Sequence, residues 1–230
     1  MRLAANQPFF FPYITYFQLI KFAEVFLIAD DFNYTPQAWI NRNYILMNGD
    51  EYLFNLSVIG ASQNKLINEV YVAENQHKLL RTIEVCYSKA PFFKDFFPIL
   101  KDIFQYENKN VAKFIGNSLI QTANYLHFDT KFIYSSEIEG LNRSLKAQAR
   151  VLDFCNVLKV KEYINLPSEL YDQKEFKKNN IDLYFLDSKP VTYKQYANDF
   201  VPDLSMIDIL MFNSVEQTNE LLTQYELVKA

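Results

Sequence analysis

Two consecutive carboxylates, Asp30 and Asp31, directly follow an apolar run from Val25 to Ala29. A continuous apolar run of this length is typical of a buried strand, and ligands of open α/β sheets bind at the carboxyl ends of strands. At that position the pair could bind a cation, hold an amino group or act as a general base. Alternatively, one aspartate caps the following turn through its side chain. We predict both aspartates as catalytic candidates.

A second polar group follows the only tryptophan, Trp39, and consists of Asn41, Arg42 and Asn43. Because a guanidinium binds carboxylates and phosphates through two parallel hydrogen bonds, Arg42 is a third catalytic candidate. We expect the two asparagines to orient a substrate. The alternative places Arg42 in a buried salt bridge with the aspartate pair, and the two roles are compatible. Trp39 could stack on a ligand, although a single tryptophan is more often part of a core.

Three further stretches supply candidate substrate-binding residues. Gln7 lies between a first strand and a proline-bracketed turn, so its amide points to the same sheet edge, unless it only bonds within the turn. Ser205 and Asp208 have the spacing of a helix cap, and Asp208 could also contribute a carboxylate to the site. Tyr171, in a loop after Pro167, is a weaker candidate.

The elements that would position these residues alternate between strands and helices at both ends of the chain. This pattern predicts an α/β fold with a mostly parallel sheet and flanking helices. Asn48-Gly49 between two strand-like runs predicts a β-hairpin. Residues 74–128 read as an aromatic-rich helical layer, in which Pro98 should kink or split a helix that begins at Pro91. Asn108 is the expected N-cap of the next helix, and the last helix is expected from Ser214 to Tyr225.

Composition excludes several functional classes. The net charge is −4 without a basic stripe, which argues against a nucleic-acid partner. No apolar run approaches the roughly 20 residues that span a bilayer, so we expect no membrane insertion. The N-terminal residues lack the pattern of a signal peptide. Two isolated cysteines, Cys86 and Cys155, fit a reducing cytoplasm, and we expect a cytoplasmic protein.

Common catalytic motifs are also absent from the sequence. The four glycines are far apart, so neither a P-loop nor a dinucleotide-binding glycine loop is present. No GxSxG or HExxH motif occurs, and the two histidines, His77 and His127, are most simply interpreted as half-exposed helical residues. We predict no dedicated metal site, although a cation at the aspartate pair stays an alternative. Composition does not identify a cofactor or an oligomeric state.

The polar stretches, taken together and in order, resemble the WbqC-like family. The resemblance rests on the following motifs: Gln7-Pro8-x-x-Phe11-Pro12-x-x-x-Tyr16-Phe17, Asp30-Asp31, Trp39-Ile40-Asn41-Arg42-Asn43, Tyr87-x-Lys89-Ala90-Pro91-Phe92-Phe93, Tyr171-Asp172 and Phe200-x-Pro202-x-Leu204-Ser205-x-Ile207-Asp208. It adds Tyr16 to the candidate substrate-binding residues and implies a single WbqC-like domain over residues 1–230.

This resemblance implies a bacterial protein of O-antigen, lipopolysaccharide or other surface-polysaccharide biosynthesis. We expect an acyl or aminoacyl transferase, adding for example a glycyl group to a sugar or nucleotide-sugar. Arg42 would hold a carboxylate or phosphate, while Asp30 or Asp31 would hold the amine or act as base. The alternative is a module of the same pathway that binds a sugar or nucleotide, or docks a partner, without catalysis.

Overall fold

A six-stranded sheet forms the centre of the computed structural model, which describes residues 1–196 and 199–229. In chain order the strands are β1 (Arg2–Asn6), β2 (Val25–Ile28), β3 (Arg42–Met47), β4 (Asp50–Asn55), β5 (Val58–Ile59), β6 (Tyr71–Val72), β7 (Lys131–Tyr134), β8 (Glu162–Asn165), β9 (Asp182–Ser188) and β10 (Tyr225–Lys229). The main sheet has the order β10-β9-β8-β1-β2-β7, and all neighbours are parallel except β9 and β10. This confirms the predicted α/β class with a mostly parallel sheet.

Eight helices accompany the strands in the described part of the chain. They are α1 (Ile14–Phe22), α2 (Gln76–Tyr87), α3 (Phe93–Phe104), α4 (Val111–Tyr125), α5 (Ala147–Val157), α6 (Gln173–Lys178), α7 (Met206–Phe212) and α8 (Val215–Leu221). Side chains of α1, α3, α4 and α7 form the larger core with residues of β1 and β2, such as Ala4 and Phe26. Side chains of α5 and α6 form a second core with Leu3 and Leu27, whose side chains alternate to the opposite face.

Several element boundaries differ from the sequence prediction. Helix α3 runs without a break through Pro98, so the expected split does not occur. Asn110, and not Asn108, caps α4, because its side chain accepts a hydrogen bond from the Lys113 N–H. The last helix ends at Leu221, and Tyr225 begins the edge strand β10 instead of ending that helix.

The path of the chain creates a crevice between β1 and β8. From β1 the chain passes through α1, on the face of the larger core, to β2. From β8, on the other side of β1, it passes through α6, on the opposite face, to β9. Because the connections that leave β1 and β8 run in opposite directions, a crevice opens at the carboxyl ends of these two strands. In doubly wound sheets this is the position at which ligands bind.

Gly116 allows α4 to approach β7, and its replacement gives a first prediction. A Cβ atom at Gly116 would lie 2.2 Å from the Tyr134 hydroxyl oxygen and 2.9 Å from Cζ of the same ring. We expect Gly116→Ala to lower the free energy of unfolding by about 1–3 kcal/mol, as other overpacking substitutions do. The double variant with Tyr134→Phe should recover part of this loss, because it removes the closest atom. Urea denaturation of the three proteins measures both effects, and an unchanged midpoint for Gly116→Ala would show that the ring moves freely.

Candidate functional site

A cavity of about 330 Å³ lies at the carboxyl ends of β1 and β8, in the crevice described above. Its lining combines amides, tyrosines and apolar side chains. Among the described residues, none of the lining side chains is charged. The lining residues are Ala5, Asn6, Gln7, Ala29, Phe32, Ala147, Gln148, Val151, Phe154, Tyr163, Asn165, Leu170 and Tyr171. A concave, mostly apolar pocket with a few converging polar groups is the usual form of a small-molecule site.

Two asparagines end the strands that flank the crevice, and each is oriented by the backbone that follows it. Asn6 Oδ1 accepts a hydrogen bond from the Gln7 N–H at 2.8 Å, and Asn165 Oδ1 accepts one from the Leu166 N–H, also at 2.8 Å. Because the oxygens are occupied, the amide nitrogens are the groups left to bind other partners. Within the described residues, the Asn6 amide nitrogen and the Gln7 side chain have no protein partner, so both can meet a ligand.

The amide of Asn165 contacts both tyrosines of the cavity. Asn165 Nδ2 donates to the Tyr171 hydroxyl at 2.7 Å and to the Tyr163 hydroxyl at 3.0 Å. Tyr163 is fully buried, whereas Tyr171 is partly accessible. Sequence reasoning found Tyr171 but missed Asn165 and Asn6, although each of them ends a strand of the main sheet. Their position at the strand ends is the signal that could have identified them.

Asp30 lies beside the cavity, between β2 and Phe32, but its carboxylate is buried and bonded within the protein. Ser136 donates to it from its N–H at 2.9 Å and from its hydroxyl at 2.6 Å. The Ser135 hydroxyl lies 3.1 Å from Asp30 Oδ1 and 2.5 Å from Asp31 Oδ1, and its single proton serves one of them at a time. These serines follow β7, so the neighbouring strand end supplies the partners of the aspartate pair.

Asp31 forms a buried ion pair with an arginine of helix α5. Arg150 Nη2 lies 2.7 Å from Asp31 Oδ2, and both side chains are almost completely buried. Arg143, which is half-exposed, approaches the same oxygen with its Nε at 3.2 Å. Both aspartates therefore have several protein partners, and neither presents a free carboxylate to the cavity. Sequence reasoning missed both arginines, because nothing in a helical pattern shows which distant acid an arginine will meet.

Arg42, the other catalytic candidate, lies at the start of the hairpin β3–β4 and not beside the aspartate pair. It is half-buried, and in residues 1–196 and 199–229 no ion pair or side-chain hydrogen bond includes it. Its neighbour Asn41 accepts from the Tyr34 hydroxyl at 3.0 Å and donates to the Leu56 carbonyl at 2.8 Å. The proposed salt bridge between Arg42 and Asp30 or Asp31 is therefore replaced by the contacts of Arg143 and Arg150 with Asp31.

Several substrate-binding candidates instead hold the proline-bracketed turn between β1 and α1. Asn43 Nδ2 and the Ser205 hydroxyl donate to the Phe11 carbonyl at 2.7 and 2.8 Å. Phe11 has a φ of 43°, a left-handed backbone that a bulky residue adopts only when its surroundings enforce it. The Tyr16 hydroxyl donates to the Gln7 carbonyl at 2.7 Å, which fixes the backbone of the residue that reaches the cavity.

Trp39 touches this turn through its backbone. Its carbonyl accepts a hydrogen bond from the Phe10 N–H at 3.1 Å, while 45% of the residue is exposed and the ring contacts Tyr44 edge-on. The indole is thus on the surface and not in the core. It does not line the cavity at the strand ends.

Asp208 is completely buried in the helical core, away from the lining of the cavity. Its carboxylate accepts hydrogen bonds from the Tyr87 and Tyr193 hydroxyls at 2.8 and 2.7 Å and from Gln195 Nε2 at 2.8 Å. Burial raises the pKa of Asp208, and the three donors partly oppose this shift. The network ties the segment before α7 to helix α2, which is a role in packing.

The described residues also bear on metals and membranes. No three His, Cys, Asp or Glu side chains among them lie together as a potential metal-ligand set. In the same part of the chain, none of the helices has both the length and the apolar character that crossing a bilayer requires.

The structure thus brings Gln7 and Tyr171 to one cavity, with Asp30 and Asp31 beside it, and places the other candidates in the hairpin, the turn and the helical core.

Comparison of the chain with known proteins identifies a relative and a family. The chain is 26% identical over 216 residues to "Uncharacterized protein Rv1507c" of Mycobacterium tuberculosis (strain ATCC 25618 / H37Rv), which covers 91% of this chain and 92% of the relative. No solved structure matches the chain. A model of the WbqC-like protein family matches residues 7–220, and the chain therefore belongs to this family, as its motifs predicted.

Proposed function

We propose that this chain is a cytoplasmic transferase of bacterial surface-polysaccharide biosynthesis that binds a sugar or nucleotide-sugar in the cavity between β1 and β8. The reaction would transfer an acyl or glycyl group from an activated donor to an amino or hydroxyl group of that substrate, which loses a proton while the donor's activating group is released. The observation that supports the proposal is the cavity itself. It lies at the position where doubly wound sheets bind ligands, and it presents the amide nitrogen of Asn6 and the side-chain amide of Gln7, which have no protein partner among the described residues.

Catalysis in this proposal rests on positioning. Neutral amide and hydroxyl donors can fix the hydroxyl groups and ring oxygens of a sugar in one orientation. Holding two reactants in a reactive geometry supplies a large part of many rate enhancements without a covalent intermediate. Asp31 would act indirectly, because its ion pair with Arg150 fixes the helix whose residues Ala147, Val151 and Phe154 form the apolar wall.

A second function, binding without turnover, is favoured by one specific observation. Asp30 is bonded to Ser135 and Ser136, and Asp31 to Arg143 and Arg150, so neither candidate base faces the cavity free of partners. A protein of this kind would deliver or sense the sugar for another enzyme of the same pathway.

Binding and turnover can be measured on the same purified protein. We expect UDP-N-acetylglucosamine to bind in isothermal titration calorimetry, and Gln7→Ala to weaken binding about tenfold, the effect of about 1.4 kcal/mol. Gln63→Ala, which truncates an exposed glutamine in the loop before β6, is the matched control and should bind normally.

Incubation with the sugar nucleotide, glycine and ATP, followed by mass spectrometry, then separates the two functions. A glycylated sugar nucleotide identifies the transferase, whereas tight binding without product identifies the binding module. Absence of binding to nucleotide-sugars and free sugars alike would contradict both.

A further inference from the structure

The two tyrosines of the cavity, Tyr163 and Tyr171, accept hydrogen bonds from the same amide, so this amide does not accept their own hydroxyl protons. Asn165 Nδ2 donates to both hydroxyl oxygens, so neither tyrosine can give its own proton to Asn165. Asn165 is held in this orientation by the Leu166 N–H, which occupies its oxygen. Each tyrosine therefore needs another acceptor for its hydroxyl proton.

Of the two tyrosines, Tyr171 is the one that can meet a ligand. Tyr163 is fully buried, whereas Tyr171 is partly accessible and lines the cavity. Because the Tyr171 oxygen already accepts from Asn165 Nδ2 at 2.7 Å, its own O–H is the donor left for a ligand. Desolvation by burial raises the pKa of Tyr171, while the hydrogen bond from Asn165 acts in the opposite direction.

The charge and shape of the cavity restrict what can accept this proton. In the described part of the chain no charged side chain lines the walls, so an anionic group enclosed there would have no ionic partner. Phe32 and Phe154 are among the apolar residues of the lining. An uncharged ring with oxygen acceptors on its edge fits this lining, because its face packs on apolar groups while its edge meets the donors.

We propose that the cavity binds an uncharged ring bearing hydrogen-bond acceptors, and that Tyr171, oriented by Asn165, is the donor that determines its specificity. This inference rests on the proposed function and deepens it. It assigns the ring of the sugar or of the nucleoside to the cavity and leaves the phosphates of a nucleotide-sugar outside. Asn165 is a positioning residue, since it acts through Tyr171.

Binding of defined probes to the full chain tests the assignment. We expect UDP-N-acetylglucosamine to bind, together with either uridine or N-acetylglucosamine, and pyrophosphate not to compete. The neutral probe that binds shows whether the nucleoside or the sugar occupies the cavity. Tyr171→Phe should weaken binding of that probe and of the sugar nucleotide equally, by about 3- to 10-fold, the effect of one net hydrogen bond. Tyr52→Phe, which removes an exposed hydroxyl on β4, is the matched control and should have no effect.

A second variant tests the hydrogen-bond direction without changing the shape of the site. Asn165→Asp replaces the donating amide by an acceptor, so both tyrosines would donate to residue 165 and Tyr171 would no longer donate to the ligand. We expect ligand affinity to fall as in Tyr171→Phe. The pKa of the Tyr171 phenol, followed by NMR of ¹³Cζ-labelled tyrosine, should rise, a change that a purely structural role of Asn165 would not produce.

The outcomes separate this inference from the function on which it rests. The inference alone is overturned if the sugar nucleotide binds, pyrophosphate displaces it, and Tyr171→Phe leaves its affinity unchanged. Failure of all sugar and nucleoside probes to bind overturns the proposed function as well. Normal affinity in Asn165→Asp overturns the role of Asn165 in orienting Tyr171.

Discussion

Replacement of Arg150 by alanine is expected to lower the free energy of unfolding by about 3–5 kcal/mol, the usual cost of leaving a buried charge without its partner. The side chains of Asp31 and Arg150 are both almost fully buried, and they form an ion pair. Without Arg150, the carboxylate keeps, among the described residues, the Ser135 hydroxyl and the half-exposed Arg143. Urea denaturation followed by circular dichroism gives the change in free energy directly.

Arg143→Ala is the matched control, because Arg143 contacts the same oxygen of Asp31 from a side chain that is 53% exposed. Solvent screens this contact, so its loss should cost no more than about 1 kcal/mol. Equal losses for the two variants would show that the buried pair does not dominate. Asp31→Asn with Arg150→Met should recover much of the stability, because both charges are then removed from the interior.

The sequence predicted the elements whose burial leaves a pattern. The strand Val25–Ile28 is buried on both faces and reads as an unbroken apolar run, which is why β2 and the acids after it were found. Strand β10 left no such pattern. Four of its five residues are exposed, and only its first residue, Tyr225, was assigned, as the end of the last helix. An edge strand that hydrogen-bonds on one side only is specified by its partner β9, which sequence periodicity does not show.

The site was predictable where it follows from strand ends and not where it depends on contacts between distant segments. Gln7 was identified from its place after β1, and its side chain lines the cavity. Arg42 was expected to meet the aspartate pair, but the position of the β3–β4 hairpin relative to the sheet is set by packing. Arg150 meets Asp31 across 119 positions of sequence. The motifs of this chain therefore mark both the cavity and the turn that supports it.

The second large effect is expected for Asp208→Ala, which should lower the free energy of unfolding by about 3–5 kcal/mol, since each orphaned buried donor costs about 1–3 kcal/mol. The substitution leaves the hydroxyls of Tyr87 and Tyr193 and the amide of Gln195 without their acceptor. Asp102→Ala, at an exposed position of α3, is the matched control and should change stability by no more than about 0.5 kcal/mol. Comparable losses in the two variants would contradict a structural role of the Asp208 network.

The same network makes a prediction about pH whose sign follows from burial. The pKa of Asp208 in the folded protein is raised above its ordinary value of 3.8, so between these two values the folded state holds a proton that the unfolded state has released. Stability therefore falls as the pH rises through this window, and above it the folded state bears the full cost of the buried charge. Asp208→Asn cannot ionise, so its stability relative to the wild type should improve as the pH is raised from 3.8. Urea titrations of both proteins across this range measure the difference, and a difference independent of pH would mean that Asp208 ionises normally in the core.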